Sequence, residues 1–279
     1  SLGDLEKEHL MQRMRKLSSV YFVKVFTFCI LSNHFHLLVQ MQNGEDYSDE
    51  EIERRFRIYY GSKRPFLKEK LEDYRVKWSD LSEYVKDVKQ GFSFWYNRLN
   101  DRKGYFWSER FKSVVVEGGA ALISCMAYID LNAVRANLVD RSEDYRFCGL
   151  GYQTGSGNKD AFLSLDLSEF SHQEEPPHAA YRRYVYEDGS IAYPDGKRSI
   201  PKSISEREGR DGYRVSRVLI FRYRSRYFTE SVVLGSKEFV RGVYGKLQSF
   251  MKTKQDRDPF KVQGIEGLYS LRRLREEVL

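Results

Sequence analysis

Apolar positions along the first 150 residues follow two spacings. Leu10, Met14 and Leu17 recur at three and four residues, which predicts a helix over 4–17. Val20 to Ile30 is rich in β-branched and aromatic residues and reads as a strand. Ser32-Asn33 then supplies a turn, and His34 to Met41 reads as the returning strand of a hairpin. Leu81, Tyr84, Val85, Val88, Phe92, Trp95 and Leu99 keep the helical spacing over 80–99, with Asp80 and Glu83 at the interval of a capping box. Lys112 to Glu117 reads as a short strand ended by Gly118-Gly119, and Ala120 to Asn132 as a helix.

Between these elements the chain is polar. An acidic stretch from Gly44 to Glu53 reads as a mobile loop, and Asp101 to Phe111 is basic and aromatic. Residues 154–178 carry Gly, Ser, Glu174-Glu175 and Pro176-Pro177, the composition of a linker. Beyond it, Tyr213 to Phe228 mixes apolar residues with Arg. Ser236 to Phe250 reads as a helix with Phe239, Val240, Val243, Tyr244 and Leu247 on its apolar face. No internal repeat is present. The division expected is a domain over 1–150, a linker over 151–180 and an accessory region over 181–279.

Composition narrows the class. With 279 residues, 41% hydrophobic and 15% aromatic, the chain can bury a sizeable core, and it is not of the aromatic-poor disordered type. No apolar run approaches the roughly 18 residues of a membrane helix, and no secretory segment opens the chain. Cys29, Cys125 and Cys148 lack the spacing of a disulfide framework or zinc knuckle. A soluble intracellular protein is expected. The net charge of +7 is unevenly placed: residues 201–279 hold 18 basic and 10 acidic side chains, the remainder 29 and 30. A basic last third suits a polyanion, nucleic acid first, although a solvated basic surface has the same composition.

Two places carry candidate chemistry. On a strand, side chains alternate, so His34 and His36 share a face while Phe35, Leu37 and Val39 share the other. Paired imidazoles form a bidentate metal site; taken alone, the pair is equally two surface histidines. On the helix, Tyr128 and Asn132 lie one turn apart on one face, with the small residues Ala121 and Cys125 behind them. A tyrosine at a core edge and an asparagine near a helix end would look the same. No further His and Asp cluster supports a small-phosphoester hydrolase.

Three segments in order give these residues a context. Ser32-Asn33-His34-Phe35-His36-Leu37-Leu38-Val39 resembles the histidine–hydrophobic–histidine motif of single-tyrosine HUH transposases. Gly104-Tyr105-Phe106-Trp107-Ser108-Glu109-Arg110-Phe111-Lys112-Ser113 is similar to the stretch that follows in that family. Tyr128-Ile129-Asp130-Leu131-Asn132-Ala133-Val134-Arg135-Ala136-Asn137-Leu138-Val139 resembles its tyrosine helix. The branch is the transposases associated with repetitive extragenic palindromes, relatives of the IS200 type, and the similarity covers about residues 4–150.

The resemblance implies an α+β, ferredoxin-like domain with an antiparallel sheet. It also implies a divalent metal, Mg²⁺ or Mn²⁺, on His34, His36 and Asn132, with Tyr128 as nucleophile. The implied substrate is single-stranded or hairpin, palindromic DNA, cut and rejoined through a covalent phosphotyrosine. A free phenol, with a pKa of about 10, is a poor nucleophile near neutrality, and a metal on the scissile phosphate compensates. Arg110, Lys112 and Arg135 become expected phosphate contacts. Trp107 and Phe106 become surfaces for base stacking, with core packing as the competing role. The setting implied is the bacterial cytoplasm, beside the nucleoid, for a monomer or homodimer with no membrane partner. The alternative is a non-catalytic DNA-binding derivative.

Two departures from the family pattern carry expectations of their own. Ala133 stands where the family usually has Pro, which lets the helix run on past Asn132. The family opens with a strand before its first helix, whereas Ser1-Leu2-Gly3 leads almost directly into that helix. The first strand is therefore expected upstream or missing, and the accessory region beyond 180 is expected to be mainly helical.

Overall fold

The structure is a computed structural model. It describes residues 1–164, 167, 176–191 and 197–215, and beyond these only 234–235, 237–238, 241–242, 244, 258–261 and 269–270. Its architecture is α+β. Helix α1 (Asp4–Ser18) begins where the Glu6 carboxylate accepts the Gly3 N–H at 2.9 Å, and it buries Leu10, Met14 and Leu17. Strands β1 (Val23–Ile30) and β2 (Phe35–Met41) form the expected antiparallel hairpin, with Cys29 opposite His36 and Ile30 opposite Phe35. Val20–Phe22, expected in the strand, form the buried turn from α1 instead. The register slips between Val25 and Thr27, the irregularity of a bulge.

β1 is buried along most of its length. Its outer edge is occupied at two points by later chain: Ile30 N–H donates to the Phe147 carbonyl at 2.9 Å, and Ser164 N–H donates to the Val25 carbonyl at 2.7 Å. Among the described residues this sheet has two strands.

The acidic stretch after the hairpin is not a loop. Asp49, Glu50 and Glu51 form the first turn of α2 (Asp49–Tyr60), and the Ser48 hydroxyl accepts the Glu51 N–H at 3.3 Å. Negative charge there complements the helix dipole, so the acidity is a start signal rather than a sign of mobility. Helix α3 (Leu71–Trp78) packs its Tyr74 and Trp78 against α2. Helix α4 (Leu81–Leu99) follows the predicted face closely. Asp80 caps it, and Tyr84, Val85, Val88 and Phe92 are buried, although Leu99 is exposed.

Lys112 to Glu117 forms no strand. Val114 and Val115 are 85% and 99% exposed, and no neighbouring ladder is present for the backbone to join. β-propensity reflects burial on a pleated surface, which this segment lacks. Helix α5 (Ala120–Asp130) packs on both strands and buries Ile123, Met126, Ala127 and Ile129. Leu131 stays in the right-handed helical region, and the short α6 (Asn132–Arg135) continues the path. α5 thus stops at Asp130, two residues short of the expected Asn132, and the helical path resumes only as the short α6. It ends at Asn137, which adopts φ 58°, while Leu138 N–H donates back to the Ala133 carbonyl.

The expected domain boundaries shift. The first compact unit comprises Ser1–Gln153 together with Asn158–Tyr213. Helix α7 (Gly149–Ser156) starts against the sheet; a side chain at Gly149 would collide with Thr27. Helices α8 (Pro177–Gly189) and α9 (Lys202–Arg210), expected in the linker and the accessory region, belong to this first unit. The reason is burial of polar groups that pair at long range. Arg182, wholly buried, donates to Glu143 at 2.7 Å and to Glu208 at 3.0 Å, and Arg141 meets Glu208 at 3.3 Å.

The second unit comprises Thr154–Gly157 and Arg214–Leu279. Its described residues include β3 (Leu234–Gly235), β4 (Phe260–Lys261) and β5 (Tyr269–Ser270), antiparallel in the order β3–β5–β4, which the sequence reading did not anticipate; over 181–279 as a whole the described residues are mostly helical, through α8 and α9. These pairings span many residues and leave no periodic trace. Lys237, Glu238, Arg241, Gly242 and Tyr244 are helical, as expected; the rest of that predicted helix and most of Tyr213–Phe228 lie outside the described residues. Among the described residues no helix is long and apolar enough to cross a membrane.

Candidate functional site

β2 and α5 bring the predicted residues together. His34 precedes the first residue of β2 and His36 follows on the same side, so the alternation read from the sequence places both imidazoles on one face. Their Nε2 atoms are 3.2 Å apart. The His34 Nδ1–H donates to the Asn33 side-chain oxygen at 2.7 Å, which leaves a lone pair on Nε2. Burial, and then the neighbouring His34 imidazole, lower the His36 pKa from the ordinary histidine value, so its neutral form is favoured.

Tyr128 stands across from this pair. Its ring centroid is 6.3 Å from that of His36, edge to face, and the residue is 47% exposed. The back of the same helical turn is closed: Ile129 and Asp130 are buried. Asn132 lies one turn on. Its amide N–H₂ donates to the Tyr128 carbonyl at 2.9 Å and to the Ile129 carbonyl at 3.3 Å. Among the described residues, its amide oxygen accepts no hydrogen bond.

The donor chemistry can be tested for fit to a divalent metal. Two nitrogens bound to one ion at about 2.1 Å and near a right angle sit about 3 Å apart; the imidazole pair has that separation. Among the described residues no three His, Cys, Asp or Glu side chains form a metal-binding group. A third protein donor would therefore be of another kind, such as the amide oxygen of Asn132. The imidazole pair has the separation a divalent ion requires, and His34, His36 and Asn132 are the residues that would hold one.

The expected DNA contacts divide. Arg110 and Lys112 are exposed, Lys112 lying 3.9 Å from Glu109. Trp107 is half-buried and engaged: its indole N–H donates to the Lys89 carbonyl at 3.0 Å and its ring packs on Phe35 and Phe92. Phe106 fills the space between Phe92 and Tyr96. Both aromatics tie the chain after α4 to the sheet and to α4. Arg135 faces inward. Its side chain is 8% exposed, its guanidinium carbon lies 4.9 Å from the centre of the Tyr128 ring, and Nη2–H donates to Asp188 at 3.2 Å.

Residues the sequence did not single out complete the support. Asp130, fully buried behind Tyr128, accepts from Thr27 at 2.7 Å, from Leu150 N–H at 3.1 Å and from Tyr181 at 2.6 Å. Burial pushes its carboxyl up to about 6, against the three hydrogen bonds that favour the charged form. An acidic residue next to apolar neighbours in a helix was the available signal. Comparison with protein-family models, with curated proteins and with solved structures finds no match to this chain.

Proposed function

We propose that the protein is a metal-dependent endonuclease and strand transferase for single-stranded or hairpin DNA, acting through a covalent phosphotyrosine on a ferredoxin-like domain. One observation carries the reading. Two imidazoles with Nε2 atoms 3.2 Å apart face a half-exposed tyrosine, and an asparagine sits one helical turn beyond it. Neither the pair nor the tyrosine alone would suffice.

The chemistry follows from the residues. When bound, a divalent metal withdraws charge from the scissile phosphate and fixes it for in-line attack. Tyr128 is half-exposed, which opens it to a DNA phosphate, and its ring meets that of His36. Attack of the phenol oxygen on phosphorus forms the tyrosyl phosphodiester and breaks the bond to the 3′ oxygen; the phenol proton passes to water, and the departing 3′ oxygen takes a proton from water to become the 3′-hydroxyl. A second 3′-hydroxyl reverses the step and restores the tyrosine. Bond energy is conserved, so no nucleotide cofactor is consumed. Arg110 and Lys112, whose exposure leaves them free to reach solvent, would contact the backbone of an incoming strand.

The test uses the full chain, hairpin DNA and Mn²⁺ or Mg²⁺, with the covalent adduct resolved by denaturing electrophoresis. The wild type is expected to form it, and Tyr128→Phe and His34→Ala to lose it while melting as the wild type does. An adduct in Tyr128→Phe overturns the nucleophile, and metal-dependent cleavage in His34→Ala overturns the ligand pair. DNA binding with no cleavage by any metal makes the protein a binding derivative instead.

A further inference from the structure

We propose that α8 positions the tyrosine for attack: Asp188 holds the Arg135 guanidinium against the Tyr128 ring, and Tyr184 anchors the same helix one turn earlier. The inference rests on the nuclease reading and adds to it residues some 50 positions beyond the resembling motifs.

Two spacings make the arrangement. Tyr184 and Asp188 are four apart on α8 and so share a face. Ser124 and Tyr128 are four apart on α5, and Arg135 follows Tyr128 by seven, two turns along the continuing helix. The Ser124 and Tyr184 hydroxyls are 2.8 Å apart, and Arg135 meets Asp188 at 3.2 Å. α8 therefore grips the tyrosine helix on both sides of Tyr128. The helices approach closely at Gly189, where a side chain would meet Leu131 and Ile200.

Burial then separates the roles. Arg135 is 8% exposed at its side chain and Asp188 33%, whereas Tyr128 is 47% exposed. The guanidinium lies inside and the ring outside, stacked as a cation on an aromatic face. Removing Asp188 takes away one of the contacts that hold Arg135, so its guanidinium would sit less firmly against the ring. With Asp188 its charge is met from behind and the phenol keeps one direction. Asp188 touches no reacting atom and is a positioning residue.

The experiment compares the full-length wild type with Asp188→Asn, Asp188→Glu and Arg135→Lys. Single-turnover adduct formation is measured with hairpin DNA and Mn²⁺. The rate at saturating DNA is expected to fall roughly 10- to 100-fold in Asp188→Asn, with an unchanged half-saturating DNA concentration and melting temperature, and to recover in Asp188→Glu. Arg135→Lys keeps a charge but loses the planar stack, and is expected to fall likewise. A wild-type rate in Asp188→Asn overturns the proposal; should that variant not fold, a wild-type rate in Arg135→Lys does the same.

A second readout needs no nuclease activity. Nitration of Tyr128 by tetranitromethane is followed by peptide mass spectrometry, with the exposed Tyr105 as internal reference. The Tyr128 to Tyr105 ratio is expected to rise several-fold in Asp188→Asn and in Arg135→Lys. An unchanged ratio in both overturns the positioning. A raised ratio in a protein whose wild type makes no adduct supports the positioning of Tyr128 and removes the nuclease reading alone.

Discussion

The two sides of one helical turn differ sharply. In front, Tyr128 is 47% exposed and meets the edge of His36. Behind, two residues along, Asp130 is 1% exposed and accepts hydrogen bonds from three separate parts of the chain. Farther back still, Arg182, Glu143 and Glu208 form a charge cluster with almost no contact with water. A half-exposed side chain is fixed less by its own packing than by the helix that carries it, and that helix is held from behind by buried polar groups.

Three measurements test the contrast between the open and the buried side. Arg182→Ala removes the cation from a buried cluster and leaves Glu143 and Glu208 uncompensated; a loss of about 3–5 kcal/mol in denaturant unfolding is expected. A loss under about 1 kcal/mol would mean the cluster is not supporting the helix.

Asp130→Ala leaves the Thr27, Tyr181 and Leu150 donors without an acceptor, at an expected cost of about 2–3 kcal/mol. Asp130→Asn keeps an acceptor and should cost less. Its effect on pH dependence has a definite sign. The folded-state pKa of Asp130 is raised from 3.8 to about 6, so the protonated form suits the fold. The stability it contributes is complete below about pH 4 and is lost as pH rises through about 6. Asp130→Asn should flatten the melting temperature across that interval; a slope equal to the wild type's would assign the pH dependence elsewhere.

The smallest effect belongs to the segment before the helix. Val114→Ser and Val115→Ser, at positions 85% and 99% exposed, should each change stability by no more than about 0.5 kcal/mol. A cost above about 1 kcal/mol would show that these valines are covered in solution.

What the sequence made legible was local. The apolar face of α4 and the shared face of His34 and His36 follow from spacing alone, because each depends on the geometry of a single element. α2 escaped because its acidic first turn looks like a loop until a cap and an apolar face are sought together. Arg135 was expected to bind phosphate because a sequence displays a cation but not its partner, and Asp188 lies 53 residues away. Likewise Arg182 and Glu143 are 39 residues apart, with no periodicity to join them. Residues 112–117 have the composition of a strand and lack a neighbour, which composition does not reveal.

The placement of α8 and α9 bears on how the protein is made. Tyr128, Asn132 and Arg135 emerge from the ribosome well before Asp188 and Glu208, and the first compact unit is not complete until Tyr213. At about 5–20 residues per second, the roughly 80 residues from Arg135 to that point take on the order of 4–16 s to synthesise. Throughout that interval the nascent chain holds the tyrosine helix without the partners that fix it. The arrangement of Tyr128, Arg135 and Asp188 can form only after Asp188 has been translated.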